Sequence, residues 1–293
     1  MGSGDTSWSS FDFSTRRERY TIKRKESVTR ICIPLSESFD NFKIDNFMDR
    51  LIKRWDRKLQ CQEMPVKNDL QQKIDRYRLS DMDSFVVISS IEQSLPAHFI
   101  DEFVASCCES AIVREMEEHQ NKALLSHVHH ILLENSVTRE NGVAQTTLIG
   151  QILLSILEYE NAIGHAALSA ELYCPKEWAE SYLRDQQFGA QTLFLLFGNI
   201  HSVTNREQWI HTHGMEQFGL PDIEIVFNGR DKLTFFTELV SNVAISMIGN
   251  GKELSNGDTI DYAGSGNFFK VVEARKRTDH SFGDFGAKAL IPI

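Results

Sequence analysis

Apolar residues recur along this chain with two periods, and the two alternate in short units. An apolar face at four-residue spacing marks an amphipathic helix, whereas short β-branched or aromatic runs closed by turn residues mark strands. Phe47, Leu51, Trp55 and Leu59 fall four apart, which predicts a helix over 45–59. Helices are also predicted from Pro96, with Phe99, Phe103 and Cys107 on one face, and over 144–158, with Leu148, Ile152, Ser155 and Ile156. Two more open at Pro175 and span 233–248, the last with Phe236, Leu239, Val240, Val243 and Met247. Strands are predicted over 28–35, 85–89, 128–133, 166–172, 192–197, 223–227 and 268–274, with turns at 139–142 and 256–258. Helices and strands in such short alternation imply an α+β fold, with mixed, mostly antiparallel sheets and helices packed on one face.

The chain has 293 residues, 41% of them hydrophobic and 25% charged, so a core can form without staples. No apolar run spans a bilayer; the stretch 237–248 is interrupted by Glu238, Ser241 and Asn242. The start lacks the apolar region of a secretory leader, and the five cysteines are odd in number, without a C-x-x-C pair. A cytoplasmic chain with reduced, mostly buried thiols is therefore expected. Residues 1–6 fit the myristoylation pattern, but a tail of this composition has a simpler reading as a mobile terminus. The formal net charge of −10 argues against a nucleic-acid partner.

Three regions are expected. Residues 1–25 form a basic arm with Arg16, Arg17, Arg19, Lys23, Arg24 and Lys25, and with Trp8, Phe11 and Phe13 as anchors. An N-terminal α+β subdomain follows over 26–125, and a C-terminal α+β domain over 126–293.

Chemistry-bearing residues are sparse. No P-loop, dinucleotide fingerprint, nucleophile elbow or kinase set occurs, so no cofactor and no catalytic residue are expected. His127, His129 and His130 cluster in sequence, and His211 and His213 form a second close pair. On a strand, alternate residues share a face, so His211 and His213 would point the same way. Two imidazoles on one face can begin a metal site, and Asp222 and Glu224, one short strand away, are plausible partners to complete it. Neither histidine pair has the H-E-x-x-H spacing, and the bland alternative is hydrogen-bonded histidines beside a solvated acidic sheet face. Cys107 or Cys108 as a nucleophile would need a histidine neighbour in the fold, and buried inert thiols are the default.

The segment 211–225, with Gly214-Met215, Phe218-Gly219-Leu220-Pro221-Asp222 and Ile223-Glu224, resembles an uncharacterised bacterial family, domain of unknown function 4261, over roughly residues 125–293. Backbone needs also account for the motif: Gly214 and Gly219 suit left-handed turn positions, and Pro221 sets an extended entry into the next strand. The resemblance carries no activity. It implies a cytosolic, non-catalytic protein-binding module, toxin-immunity or secretion-accessory in kind. Its partner would be another protein, a basic toxin or a secretion component, met by the acidic surface. The alternatives are a metal-dependent hydrolase built on His211, His213, Asp222 and Glu224, and a membrane-surface factor using the basic arm.

Overall fold

The computed structural model describes residues 26–37, 43–66, 74–96, 98, 100–101, 104–105, 110, 116–183, 188–204, 207–264, 266–275 and 282–293. The basic arm with Trp8, Phe11 and Phe13 lies outside the described residues, as do Phe99, Phe103, Cys107 and Cys108. Of the cysteines described, Cys32 and Cys174 are buried and Cys61 is exposed.

Two sheets carry the fold. The first has seven strands in the order β2 (Gln60–Glu63), β3 (Ile74–Ser80), β4 (Phe85–Ile91), β5 (His129–Thr138), β1 (Glu26–Leu35), β6 (Gly164–Ala167), β7 (Leu172–Pro175). The second has six, ordered β11 (Thr259–Asp261), β12 (Phe268–Glu273), β13 (Ala287–Pro292), β10 (Asp222–Phe227), β9 (Gln208–His213), β8 (Asn199–Thr204). Among the described residues, only the β10–β13 pair is parallel and every other strand pairing is antiparallel. The α+β expectation is met. The long β1–β5 ladder, from Glu26↔Thr138 to Leu35↔His129, joins strands from either side of residue 126 in one sheet.

The helices described in full are α1 (Ile44–Trp55), α2 (Glu118–Leu125), α3 (Gly142–Leu157), α4 (Lys176–Leu183), α5 (Ala190–Phe197) and α6 (Leu233–Asn250). Apolar residues at i, i+3 and i+4 give α1 and α6 one core-facing stripe, and α1 stops where Asp56 turns left-handed at φ 53°. One main core holds the inner strand residues Ile31, Ile33, Ile131 and Leu133, the α3 residues Ile149 to Leu157, and Phe236, Leu239 and Val240 of α6. Burying each such side chain contributes roughly 1.5–3 kcal/mol. Among the described residues, no helix is long and apolar enough to cross a membrane.

Two sequence expectations are corrected. Residues 192–197, predicted as a strand, lie in α5, where Leu193, Phe194, Leu196 and Phe197 are all buried. A continuous apolar run carries no period, and here burial against α3, α4 and α6 makes the all-apolar helix stable. The predicted strand 166–172 is two short strands, β6 and β7, joined by a 3-10 turn at Leu168–Ala170 with Glu171 left-handed at φ 49°.

The piece of fold that positions the candidate site is the turn between β9 and β10. Gly214 (φ 87°) and Gly219 (φ 72°) flank a 3-10 turn, Met215–Phe218. A Cβ on Gly219 would stand 2.3 Å from the Thr138 carbonyl oxygen, so close backbone approach and positive φ both require glycine there. Gln217 donates to the Phe197 carbonyl (2.7 Å), and Thr146 of α3 donates to the Gln217 carbonyl. The turn is thereby fastened to α5 and α3.

Candidate metal centre

β8 and β9 pair antiparallel with His201 opposite His211 and Asn199 opposite His213. β9 and β10 pair with His211 opposite Glu224. Side chains opposite one another across a ladder share a face. His201, His211 and Glu224 therefore form one row across three strands, with His213 two residues along β9. The other face of these strands, with Ile200, Ile210, Ile223 and Ile225, lies in the main core.

The three imidazoles each offer a nitrogen, and these nitrogens all lie within 4.8 Å of one another. His211 Nε2 and His213 Nε2 are 3.1 Å apart, and the Asn199 amide nitrogen is 2.9 Å from His201 Nε2. His201, His211 and His213 are 5%, 1% and 7% exposed. Zinc–imidazole bonds run about 2.0–2.1 Å, so nitrogens around one ion sit a little over 3 Å apart, the spacing seen between His211 and His213.

Two aromatic residues wall the cluster. Trp209 stacks on His211, with ring centroids 3.8 Å apart and planes 19° from parallel. Phe282 meets both rings edge-on, at 6.2 Å from Trp209 and 6.1 Å from His211. The Trp209 indole N–H donates to Glu224 Oε2 at 2.9 Å.

The four residues named from sequence separate into two groups. His211 and His213 come together with His201, which sequence reasoning missed, while Glu224 stands opposite His211 on the next strand. Asp222 serves the turn instead. It accepts from the Thr212 hydroxyl (3.0 Å) and from the backbone N–H of Met215 (3.4 Å) and Gly283 (3.2 Å). Burial, with the nearby Glu216 carboxylate, outweighs these donors and pushes its pKa up to about 7. The expectation of a solvated acidic face is also corrected: Asp222 and Glu224 are 1% and 2% exposed.

The first histidine group does not assemble. His127 Nδ1 is 2.6 Å from the Leu124 carbonyl, and its Nε2 accepts from the Leu95 N–H at 2.7 Å. His129 Nε2 lies 2.9 Å from Ser90 Oγ, and His130 Nδ1 2.6 Å from the Gln93 carbonyl. These are structural hydrogen bonds, and burial pushes the pKa of His127 and His130 down. Glu158 faces Arg50 and Arg54 at the surface.

Residues 200–274 match the model of the C-terminal part of a family described as a protein of unknown function, DUF4026. The resemblance of the C-terminal half to an uncharacterised domain thus holds in that coarse form, with another family number. No curated protein and no solved structure matches the chain.

Proposed function

We propose that this is a non-catalytic metal-binding module, which holds one divalent transition-metal ion between His201, His211 and His213. The observation that carries the reading is the meeting of three buried imidazoles, with ligand nitrogens within 4.8 Å, on two adjacent strands. Imidazole is a borderline ligand suited to zinc, copper, nickel and iron. Zinc fits a set placed on rigid strands, because it has no electronic preference of geometry to satisfy.

Enclosure supports binding over hydrolysis. A hydrolytic ion needs an open position reached by substrate, whereas these ligands are nearly inaccessible and walled by Trp209 and Phe282. The ion would tie β8, an edge strand of its sheet, to β9. The protein-binding reading remains compatible with such a module and rests on the net charge of −10. The membrane-surface reading rests on residues 16–25, which lie outside the described residues.

The test is metal content and calorimetric zinc titration of the purified chain, alongside His201→Ala, His211→Ala and His213→Ala. One zinc per chain, lost or strongly weakened in each variant, is expected. A wild-type chain that takes up no zinc after reconstitution refutes the reading.

A further inference from the structure

We propose that Asn199 is a latch on this centre: its side-chain amide holds His201 in the metal-free arrangement, and an ion enters only by displacing that amide and loosening its hold on Ser110. The proposal rests on the three-histidine reading.

The orientation of the amide is the first argument. The Asn199 Oδ1 accepts from the Ile200 backbone N–H (2.9 Å) and from the Ser110 hydroxyl (2.6 Å). A backbone N–H can only donate, so the atom facing it is the oxygen, and the amide nitrogen is the atom that faces His201 Nε2 at 2.9 Å. An amide nitrogen in turn only donates. His201 Nε2 therefore accepts, and the neutral ring carries its proton on Nδ1.

The second argument is that this arrangement opposes an ion at either nitrogen of His201. An ion on Nε2 takes the lone pair to which the amide is bonded. An ion on Nδ1 moves the ring proton to Nε2, which then meets the amide donor to donor. A half-turn of the amide relieves the second conflict, but it swings Oδ1 away from Ile200 and Ser110. Asn199 is 0% exposed, so bulk water does not replace a lost partner. Leaving a buried donor without its acceptor typically shifts an equilibrium about 5–150-fold.

The consequence reaches beyond the imidazoles. Ser110 touches β8 twice, by its hydroxyl at Asn199 and by an isolated antiparallel backbone bridge at His201. β8 is an edge strand of its sheet, and edge backbone is where another segment attaches. An ion that displaces the amide loosens one of these two attachments. Coupling of this kind is reciprocal, so whatever holds Ser110 in place weakens the ion, and whatever frees it strengthens the ion.

The test is calorimetric zinc titration of the full chain as wild type, Asn199→Ala and Ser110→Ala, with urea unfolding of each zinc-free protein. N199A is expected to be less stable without zinc yet to bind zinc about 10-fold tighter, and S110A to bind about 3-fold tighter. The sign separates a latch from a merely structural residue, whose loss would weaken both the fold and the site. Zinc affinity in N199A equal to or weaker than wild type overturns the latch and leaves the three-histidine reading standing. A wild-type chain that takes up no zinc overturns both. Should N199A fail to fold, nitrogen-15 spectra of the wild-type imidazoles and side-chain amides decide. A His201 ring protonated on Nδ1 without zinc, with the Asn199 amide proton moving upfield when zinc is added, supports the latch. A ring protonated on Nε2, or an amide signal that zinc leaves unchanged, overturns it.

Discussion

His165 makes stability depend on acid in a way that can be isolated. It sits on β6, fully buried, with Nε2 2.8 Å from the Leu196 carbonyl of α5, so the neutral ring donates there. Burial pushes its pKa down to about 4, against the opposing effect of that hydrogen bond. The unfolded chain holds an ordinary histidine near 6.5. Below that value the unfolded state takes up the proton and the folded state does not. The contribution is therefore fully present above pH 6.5 and is lost as the pH falls through 4. The difference in pKa is worth about 3 kcal/mol, a large share of the roughly 5–15 kcal/mol that holds a typical domain together. Urea unfolding at pH 7 and pH 4 is compared between wild type and His165→Gln, which keeps an N–H donor for Leu196 and does not titrate. The wild-type loss is expected to exceed the variant's by about 3 kcal/mol. Other acid-sensitive groups, including His127 and His130, act alike in both proteins and cancel. Equal losses would refute the assignment of this acid sensitivity to His165.

Other expectations follow from the turns and the aromatic wall. Gly219→Ala meets a carbonyl oxygen at 2.3 Å at φ 72°, and should cost roughly 3 kcal/mol in chemical denaturation. Gly257→Ala, at φ 98° with nothing within 4 Å, should cost only about 1 kcal/mol; similar values for the two would contradict the packing at Gly219. Asp222→Ala strands the donors of Thr212, Met215 and Gly283, for an expected loss of about 3 kcal/mol, with Asp222→Asn costing less than half of that. Because Trp209 stacks on His211, zinc should shift the tryptophan emission, and W209F should remove most of the change; an undiminished response in W209F would show that another tryptophan reports it.

Periodicity made the amphipathic elements legible. Phe47 and Leu51 lie on the buried face of α1, and Phe236, Leu239, Val240, Val243 and Met247 on that of α6, as their spacing implies. The exposed β2 (burial low at all four residues) carries no apolar alternation to read, and β3 mixes Arg76 and Arg78 with Tyr77 and Leu79. Their pairing is set by neighbours far along the chain. The Gly214 and Gly219 positions were legible for a reason independent of periodicity, since a left-handed backbone favours glycine wherever it falls.

Two of the three histidines of the candidate site were legible, and the missing one traces to one hexapeptide. His211, His213 and Glu224 share a face by simple alternation around a turn, so their sequence spacing carries the information. His201 enters only by register, and register needs β8. Read as a strand, residues 192–197 leave no room for another strand at 199–204, because Gly198 and Asn199 then become its end. Read as the helix they form, those residues close at Gly198, whose N–H bonds the Phe194 carbonyl at 2.7 Å, and the chain turns directly into β8. With Asn199 paired to His213, antiparallel geometry sets His201 against His211. The choice between helix and strand for Thr-Leu-Phe-Leu-Leu-Phe is made by tertiary packing, through the burial of Phe194 and Phe197. The third histidine was hidden by the same physics that builds the core beneath it.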